Sequence, residues 1–255
     1  MRRKPLALTN WKMAMTASES VAFIREFTAL VGALLDQVDV VVCPPYTTLW
    51  QIKQNLGESR IELGGQNMAP TSDPARTGEI SADLLLDVGC RWVMLGHWEV
   101  RRHLADSDEI VNRKLHLALE AGLLPIVFIG EARDKRAPFP DVLDRQLRCV
   151  LAGCREDRIA TMAFVYEPEG VIGVDSPASP EHVATGCTFI RGWLRRRLGE
   201  AVAGSVRIIY GGSVTPSRAA ELLACPDVDG LGATRRGRNA VTFAEIVRQI
   251  ARAKT

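Results

Sequence analysis

The stretch around which this chain is organised reads Phe164-Val165-Tyr166-Glu167-Pro168-Glu169-Gly170-Val171-Ile172-Gly173. The apolar and aromatic run from Met162 to Tyr166 is typical of a buried strand. Pro168 closes that strand because proline has no backbone N–H to donate to a neighbouring strand. Glu167 is therefore predicted at the carboxyl end of a strand, followed by a glycine-containing loop. We interpret the segment as a carboxylate base beneath a lid; the alternative is that Glu167 only ends a strand and faces water.

Seven other apolar runs of strand length flank this one, and helical patterns separate them. The predicted strands are Leu6–Thr9, Val38–Cys43, Ile61–Gly65, Trp92–Leu95, Leu124–Ile129, Met162–Tyr166, Val206–Tyr210 and Gly230–Ala233. Strands that alternate with helices pair in parallel, and continuously apolar strands are buried on both faces. Eight such units in 255 residues predict an α/β chain folded as a closed (β/α)₈ barrel, a single domain over residues 1–255.

A doubly wound open sheet is the alternative fold for this pattern. That fold carries a glycine-rich dinucleotide-binding motif after its first strand, whereas this chain has Asn10-Trp11-Lys12 there. The barrel is therefore favoured.

The charge balance excludes several classes of partner. The chain has 32 basic and 30 acidic residues and a net charge of +2, and its one dense basic cluster, Arg195-Arg196-Arg197, lies at the end of a predicted helix. Such a cluster is typical of a solvated last turn, so no nucleic-acid partner is expected. No apolar run approaches the roughly 20 residues of a membrane span, and Arg2-Arg3-Lys4 leads into a strand without a signal-peptide pattern, so no membrane association is expected.

Neither the cysteines nor the tryptophans indicate a cofactor site. The six cysteines are scattered without metal-ligand spacing, which predicts reduced thiols in a cytoplasmic protein and no metal. Trp50, Trp92 and Trp193 fall on apolar faces and are predicted to be core residues.

Polar side chains follow several of the predicted strands. These are Asn10 and Lys12, Gly96-His97, Gly130-Glu131, Glu167, and Gly211-Gly212-Ser213. In a barrel the carboxyl ends of all strands meet on one face, so these residues are expected to be neighbours. A lysine, a histidine and a carboxylate form a general acid–base set, and glycine amides beside a serine hydroxyl form an anion site. The pattern predicts proton transfer on a phosphorylated substrate. Glu131 is interpreted as structural, because a carboxylate there can anchor neighbouring helices.

The chain resembles the triosephosphate isomerase family over nearly its whole length. The motifs that carry the resemblance are Asn10-Trp11-Lys12-Met13, Gly65-Gln66-Asn67, Thr77-Gly78-Glu79-Ile80-Ser81, Leu95-Gly96-His97, Ile129-Gly130-Glu131, Tyr166-Glu167-Pro168, Tyr210-Gly211-Gly212-Ser213-Val214 and Asp227-Val228-Asp229-Gly230. The resemblance implies the TIM-barrel fold and the interconversion of glyceraldehyde 3-phosphate and dihydroxyacetone phosphate, a step of glycolysis and gluconeogenesis. It implies no metal and no organic cofactor.

The resemblance also implies a role for each matching residue. Glu167 is expected to move a proton between two substrate carbons, and a neutral His97 to polarise the substrate oxygens, as is established for the family. Lys12 and Asn10 are expected to stabilise the developing enediolate, and Glu99 to pair with Lys12. The residues expected to bind the phosphate are Gly173, Gly211, Gly212, Ser213, Thr234 and Arg235.

Three departures from the family pattern bear on the site. After the histidine the family has Ser-Glu-Arg-Arg, and here Trp98 replaces the serine while Val100 replaces the first arginine. In the lid, Glu169 and Gly170 replace an apolar residue and a tryptophan, so lid closure is expected to differ. After the eighth strand, Thr234-Arg235 replaces a Gly-Gly pair whose amides bind phosphate in the family. An arginine there either adds a guanidinium group that can bind an anion through two hydrogen bonds, or fills space that a longer substrate would need.

Two other functions stay open at this point. Arg235 and the stretch Pro177-Ala178-Ser179 resemble a relative of the family that isomerises four-carbon ketose phosphates such as an erythrulose phosphate. A non-catalytic phosphate-binding barrel is a more remote alternative. For assembly, the segment Gln66–Glu79 matches in length the family loop that inserts beside the active site of a second subunit, which implies a homodimer.

Overall fold

The computed structural model describes residues 3–133, 139–172 and 178–254. The strands in these residues are β1 (Leu6–Asn10), β2 (Asp39–Cys43), β3 (Glu62–Gly65), β4 (Cys90–Leu95), β5 (Leu124–Ile129), β6 (Ala163–Tyr166), β7 (Arg207–Gly211) and β8 (Gly230–Ala233). They pair in parallel and in sequence order, and β1 pairs with β8 to close the barrel. The predicted (β/α)₈ barrel is confirmed. The first and last residues of each strand lie within about two residues of their predicted positions. That residues 1–255 form one domain throughout stays a prediction.

Helices surround the barrel: α1 (Ala17–Val31), α2 (Leu49–Leu56), α3 (Ala82–Asp87), α4 (Trp98–His103), α5 (Asp108–Ala121), α6 (Phe139–Val150), α7 (Glu156–Ile159), α8 (Pro180–Ser205), α9 (Pro216–Leu222) and α10 (Ala240–Lys254). Several begin where a hydroxyl side chain accepts a backbone N–H of the first turn, as Thr16, Ser81, Ser107 and Ser179 do. Gly199 interrupts α8 with a φ of 86°. No helix in the described segments is both long and apolar enough to cross a membrane.

Side chains of the strands fill two layers. The barrel interior holds Leu6, Leu8, Val41, Cys43, Trp92, Met94, Ile126, Phe128, Ala163, Val165 and Ile209. The alternate residues of each strand point outward and pack against the helices, because successive side chains of a strand lie on opposite faces. The interior of the barrel is therefore filled with side chains below the carboxyl ends of its strands.

One predicted core residue lies at the surface. Trp92 and Trp193 are buried, but Trp50 is 56% exposed, so the prediction for Trp50 was wrong. Helix α2 buries Leu49 and Ile52, and the next position along a helix is rotated by about 100° from Leu49. Trp50 therefore points away from the buried face.

Candidate active site

Three of the four side chains predicted to be catalytic, those of Lys12, His97 and Glu167, come together at the carboxyl end of the barrel. His97 follows β4 and Glu167 follows β6, and Nε2 of His97 lies 3.2 Å from Oε1 of Glu167. Both are nearly buried, with exposed fractions of 3% and 7%. Lys12 follows β1, and its Nζ lies 2.7 Å from Oε1 of Glu99, which is the expected pair. A cation, an imidazole and a carboxylate thus share one face, as general acid–base chemistry requires.

The hydrogen bonds of His97 assign its proton. The backbone N–H of Glu99 donates to Nδ1 of His97 over 3.2 Å. A ring nitrogen that accepts a hydrogen bond carries no proton, so we assign the neutral tautomer with its hydrogen on Nε2. Within the described residues that Nε2 has no hydrogen-bond partner, although Oε1 of Glu167 lies 3.2 Å away. The Nε2–H group is therefore free to donate to a substrate oxygen.

Backbone groups hold Glu167 in place. Its own N–H donates to the carbonyl of Ile129 over 2.9 Å, and its Oε2 accepts the N–H of Trp98 over 3.2 Å. In the family pattern a serine stands at the position of Trp98, and the resemblance implies that its hydroxyl contacts the glutamate. In this chain the main chain of Trp98 supplies that contact, so the carboxylate keeps a hydrogen-bond donor in its resting position.

Lys12 has an unusual main-chain conformation. Its φ of 54° lies in the left-handed region, which side-chain-bearing residues rarely adopt. The N–H of Lys12 donates to Oδ1 of Asn10 over 2.8 Å, and Nε2 of Gln66 donates to the carbonyls of Lys12 and Cys43 over 2.9 and 3.0 Å. These bonds offset a conformation that costs about 1–3 kcal/mol. Sequence reasoning assigned Gln66 no role at the site, although its motif Gly65-Gln66-Asn67 was a signal.

Four of the six predicted phosphate-binding residues line a cavity of about 330 Å³ beside Lys12. Its described lining includes Asn10, Ser213, Gly212, Thr234 and Arg235 together with two further arginines, Arg236 and Arg238. Gly211 lies deeper, at the barrel mouth with His97 and Glu167. Gly173 lies outside the described residues. The cavity joins main-chain amides, a hydroxyl and several positive charges, which suits an anion.

Glycine is required at the turn after β7. A Cβ atom at Gly212 would lie 2.2 Å from the hydroxyl of Tyr210, which is closer than atoms can approach. The glycine lets the chain pass over Tyr210 and brings Ser213 to the cavity.

The turn after β8 is fixed to the first strand. The carbonyl of Gly237 accepts hydrogen bonds from the hydroxyl of Thr9 over 3.0 Å and from Nε1 of Trp11 over 3.2 Å. A Cβ at position 237 would lie 2.2 Å from Oγ1 of Thr9. The turn that carries Arg235 is therefore held beside the strand that carries Lys12.

The family model described as triosephosphate isomerase matches residues 5–250. The chain belongs to the triosephosphate isomerase family.

Curated relatives cover nearly the whole chain. A triosephosphate isomerase of Chloroflexus aurantiacus is 38% identical over 96% of this chain and 98% of its own length. One of Syntrophotalea carbinolica is 39% identical over 96% and 98%, and one of Carboxydothermus hydrogenoformans is 40% identical over 89% and 91%.

The first residue of the lid departs from the family and is anchored. Glu169 is buried and forms an ion pair with Arg102. Its Oε2 accepts the N–H of Arg133 over 3.1 Å, and its own N–H donates to the carbonyl of Glu131 over 3.0 Å. A carboxylate in place of the family's apolar residue thus ties this end of the lid to the loop after β5 and to α4. Residues 173–177 of the lid lie outside the described residues.

Glu131 has structural contacts. Its carboxylate accepts the hydroxyl of Tyr166 at 3.1 Å and lies 3.0 Å from Nε2 of His182 on α8. Burial and this carboxylate raise the pKa of the Tyr166 phenol above its usual value. The cluster joins β5, β6 and α8, in line with the reading of Glu131 as an anchor for neighbouring elements.

Proposed function

We propose that this chain interconverts glyceraldehyde 3-phosphate and dihydroxyacetone phosphate. The observation that carries the proposal is the pair formed by His97 and Glu167, 3.2 Å apart at the barrel mouth, in a chain of the triosephosphate isomerase family. A carboxylate beside a neutral imidazole N–H can remove a proton from carbon while a hydrogen bond stabilises the adjacent oxygen.

The reaction moves one proton between two substrate carbons and another between the two substrate oxygens. Glu167 takes a proton from the carbon next to the substrate carbonyl, and the electron pair of that C–H bond moves to form the enediolate. His97 donates its Nε2–H hydrogen bond to the substrate oxygens, and Lys12 places a positive charge beside them. Glu167 then returns the proton to the neighbouring carbon. The hydroxyl proton passes from one substrate oxygen to the other through Nε2 of His97, which donates its own hydrogen to one oxygen and accepts the proton of the other. Aldose and ketose are thereby interconverted without a change in overall oxidation state.

The remaining site residues take supporting roles in this proposal. Asn10 donates a hydrogen bond to the enediolate in this proposal and also holds the main chain of Lys12, while Glu99 holds the Lys12 ammonium. The residues proposed to bind the substrate phosphate are Gly173, Gly211, Gly212, Ser213, Thr234 and Arg235. An arginine can bind a phosphate through two parallel hydrogen bonds, so Arg235 takes over part of the role of the absent Gly-Gly amides.

A three-carbon substrate is favoured over a four-carbon one. The three relatives named above are triosephosphate isomerases, and this outweighs the short likeness at Arg235. Pro177, part of that likeness, lies outside the described residues. A non-catalytic barrel is disfavoured because Lys12, His97 and Glu167 are all retained and brought together.

The test is the kcat/KM of the purified protein for glyceraldehyde 3-phosphate, with tetrulose phosphates assayed alongside. We expect the triose to be the best substrate. Glu167→Gln keeps the size of the side chain but removes the base, so kcat should fall by at least about 100-fold. Glu245→Gln, a change on α10 away from the site, is the matched control and should leave kcat unchanged. Absence of triose turnover by the unaltered chain would remove the proposal.

We also propose that two copies of the chain form a dimer through the segment Gln66–Glu79. Met13, next to Lys12, is 100% exposed, and the partly exposed Tyr46 donates its hydroxyl to the carbonyl of Asn67 over 2.8 Å, at the base of that segment. Exposed apolar side chains beside a projecting segment are typical of a subunit interface. Sedimentation at micromolar concentration should give the dimer mass, and Met13→Glu should weaken it; a monomer from the unaltered chain would refute the pairing.

We propose a cytoplasmic location for the chain. Its cysteines are free thiols in the structure, which suits a reducing compartment. Fractionation of the source cells, with the protein detected by antibody, would test this location.

A further inference from the structure

The indole ring of Trp98 contacts two cations that serve different parts of the site. Nζ of Lys12 lies 5.5 Å from the ring centroid, and Cζ of Arg102 lies 5.8 Å from it. Both distances are within the roughly 6 Å at which an aromatic face attracts a cation. Arg102 also pairs with Glu169 at the start of the lid. One side chain therefore connects the proposed catalytic cation with the anchor of the lid.

The indole ring of Trp98 makes its contacts through its aromatic faces and not through its ring nitrogen. Its Nε1 is buried and has no hydrogen-bond partner among the described residues. A buried donor without a partner is unfavourable, so this position carries an indole despite that cost. The ring also lies against the imidazole of His97, with 6.1 Å between centroids and 28° between planes.

The ion pair with Glu99 is by itself a weak restraint on Lys12. The side chains of Lys12 and Glu99 are 29% and 32% exposed, and water screens pairs of this kind. A lysine ammonium is strongly hydrated and sits on a flexible stem. A second contact therefore adds to the restraint that keeps the ammonium at one place in the site.

An aromatic face supplies that contact without consuming the positive charge. It attracts the ammonium through its quadrupole and forms no ion pair, so it neutralises nothing and competes with no anionic oxygen. We propose that Trp98 is a positioning residue whose indole face holds the Lys12 ammonium where the substrate anion binds. This inference rests on the proposed function and adds to it a residue that the family pattern does not contain at this position.

Three variants separate the ring face from simple packing. Trp98→Leu keeps an apolar side chain but has no aromatic face, and we expect kcat/KM to fall about three- to tenfold. Trp98→Phe keeps a face and should stay within about twofold of the unaltered chain. Trp193→Leu is the matched control: this buried tryptophan on α8 donates to Asp144 over 2.8 Å, so its loss should lower the melting temperature and leave kcat/KM unchanged.

A double-mutant cycle shows whether the effect runs through Lys12. The quantity measured is the affinity for inorganic phosphate, by calorimetry. With Lys12 present, Trp98→Leu should weaken that affinity about three- to tenfold. In a Lys12→Met background, the same substitution should change it by less than twofold. Phosphate binding needs no turnover, so this result is independent of whether the chain is an isomerase. Equal losses in both backgrounds, or equal damage by Trp98→Phe and Trp98→Leu, would overturn the inference.

Discussion

Gly130 is the position at which one added methyl group should most directly disturb the proposed base. A Cβ atom at Gly130 would lie 2.0 Å from the carbonyl oxygen of Glu167 and 2.5 Å from its carbonyl carbon. These are backbone atoms, which cannot rotate away. Gly130 is itself fixed by the side-chain amide of Gln146. The N–H of Gly130 donates to Oε1 of Gln146, and Nε2 of Gln146 donates to the carbonyl of Gly130, each over 3.0 Å.

The size of the effect follows from the required movement. Contacts of a Cβ with backbone atoms below 3.0 Å essentially never occur, so Gly130→Ala must shift the Glu167 peptide by about 1 Å. Misplacement of a catalytic group by this amount costs about 100-fold in rate, and forcing an extra carbon into a packed site costs about 1–3 kcal/mol of stability. We therefore expect a folded but less stable variant whose kcat/KM is lower by about 100-fold.

The assay is kcat/KM for glyceraldehyde 3-phosphate, with circular dichroism to establish that the variant is folded at the assay temperature. Gly204→Ala on α8 is the control, because a Cβ there meets nothing within 4 Å. It should leave activity unchanged and leave the melting temperature equal or higher, since alanine favours a helix over glycine. A folded Gly130→Ala protein with kcat/KM within threefold of the unaltered chain would refute the reasoning.

The remaining predictions concern the tyrosines, the phosphate turn and the lid anchor. Burial raises the pKa of Tyr210 to about 12 and raises those of Tyr46 and Tyr166 above their usual value, so above about pH 10 the folded chain binds more protons than the unfolded chain and stability falls as pH rises. Absorbance at 295 nm should show phenolate only as the circular dichroism of the fold is lost; phenolate in the folded protein near pH 10 would contradict this. Arg235→Ala should raise KM for the triose phosphate about tenfold with little change in kcat. The control Arg196→Ala on α8 should change neither KM nor kcat. An unaltered KM in Arg235→Ala would exclude phosphate binding by Arg235. Arg102→Gln removes the charge that faces buried Glu169 and should lower the free energy of unfolding in urea by about 1–3 kcal/mol. Adding Glu169→Gln should recover part of this loss of stability. No recovery would show that the ion pair between Arg102 and Glu169 is not the cause.

Local sequence determined the elements of the barrel. Apolar runs ended by Pro168, by Pro44 or by glycines marked strand ends, and the structure places each strand within about two residues of its prediction. Hydroxyl residues such as Ser107 and Ser179 mark helix starts in the same local way. These signals are readable because backbone hydrogen bonding and side-chain periodicity act over a few neighbouring residues.

The convergence of the site was also predictable from the sequence. Once the strands are parallel and the barrel is closed, the carboxyl ends must share a face, so Lys12, His97 and Glu167 had to be neighbours. The pair between Lys12 and Glu99 was expected from the resemblance and is present.

Only the tertiary structure decided how those residues are held. The ring of Trp98 over Lys12, the amide of Gln66 on the carbonyls of Lys12 and Cys43, and the hydroxyl of Thr9 on Gly237 join residues far apart in the chain. Periodicity did not separate the exposed Trp50 from its buried neighbour Leu49 either. Such contacts depend on the direction of each side chain and on which helix or loop packs against it. Those are properties of the assembled barrel and leave no local pattern in the sequence.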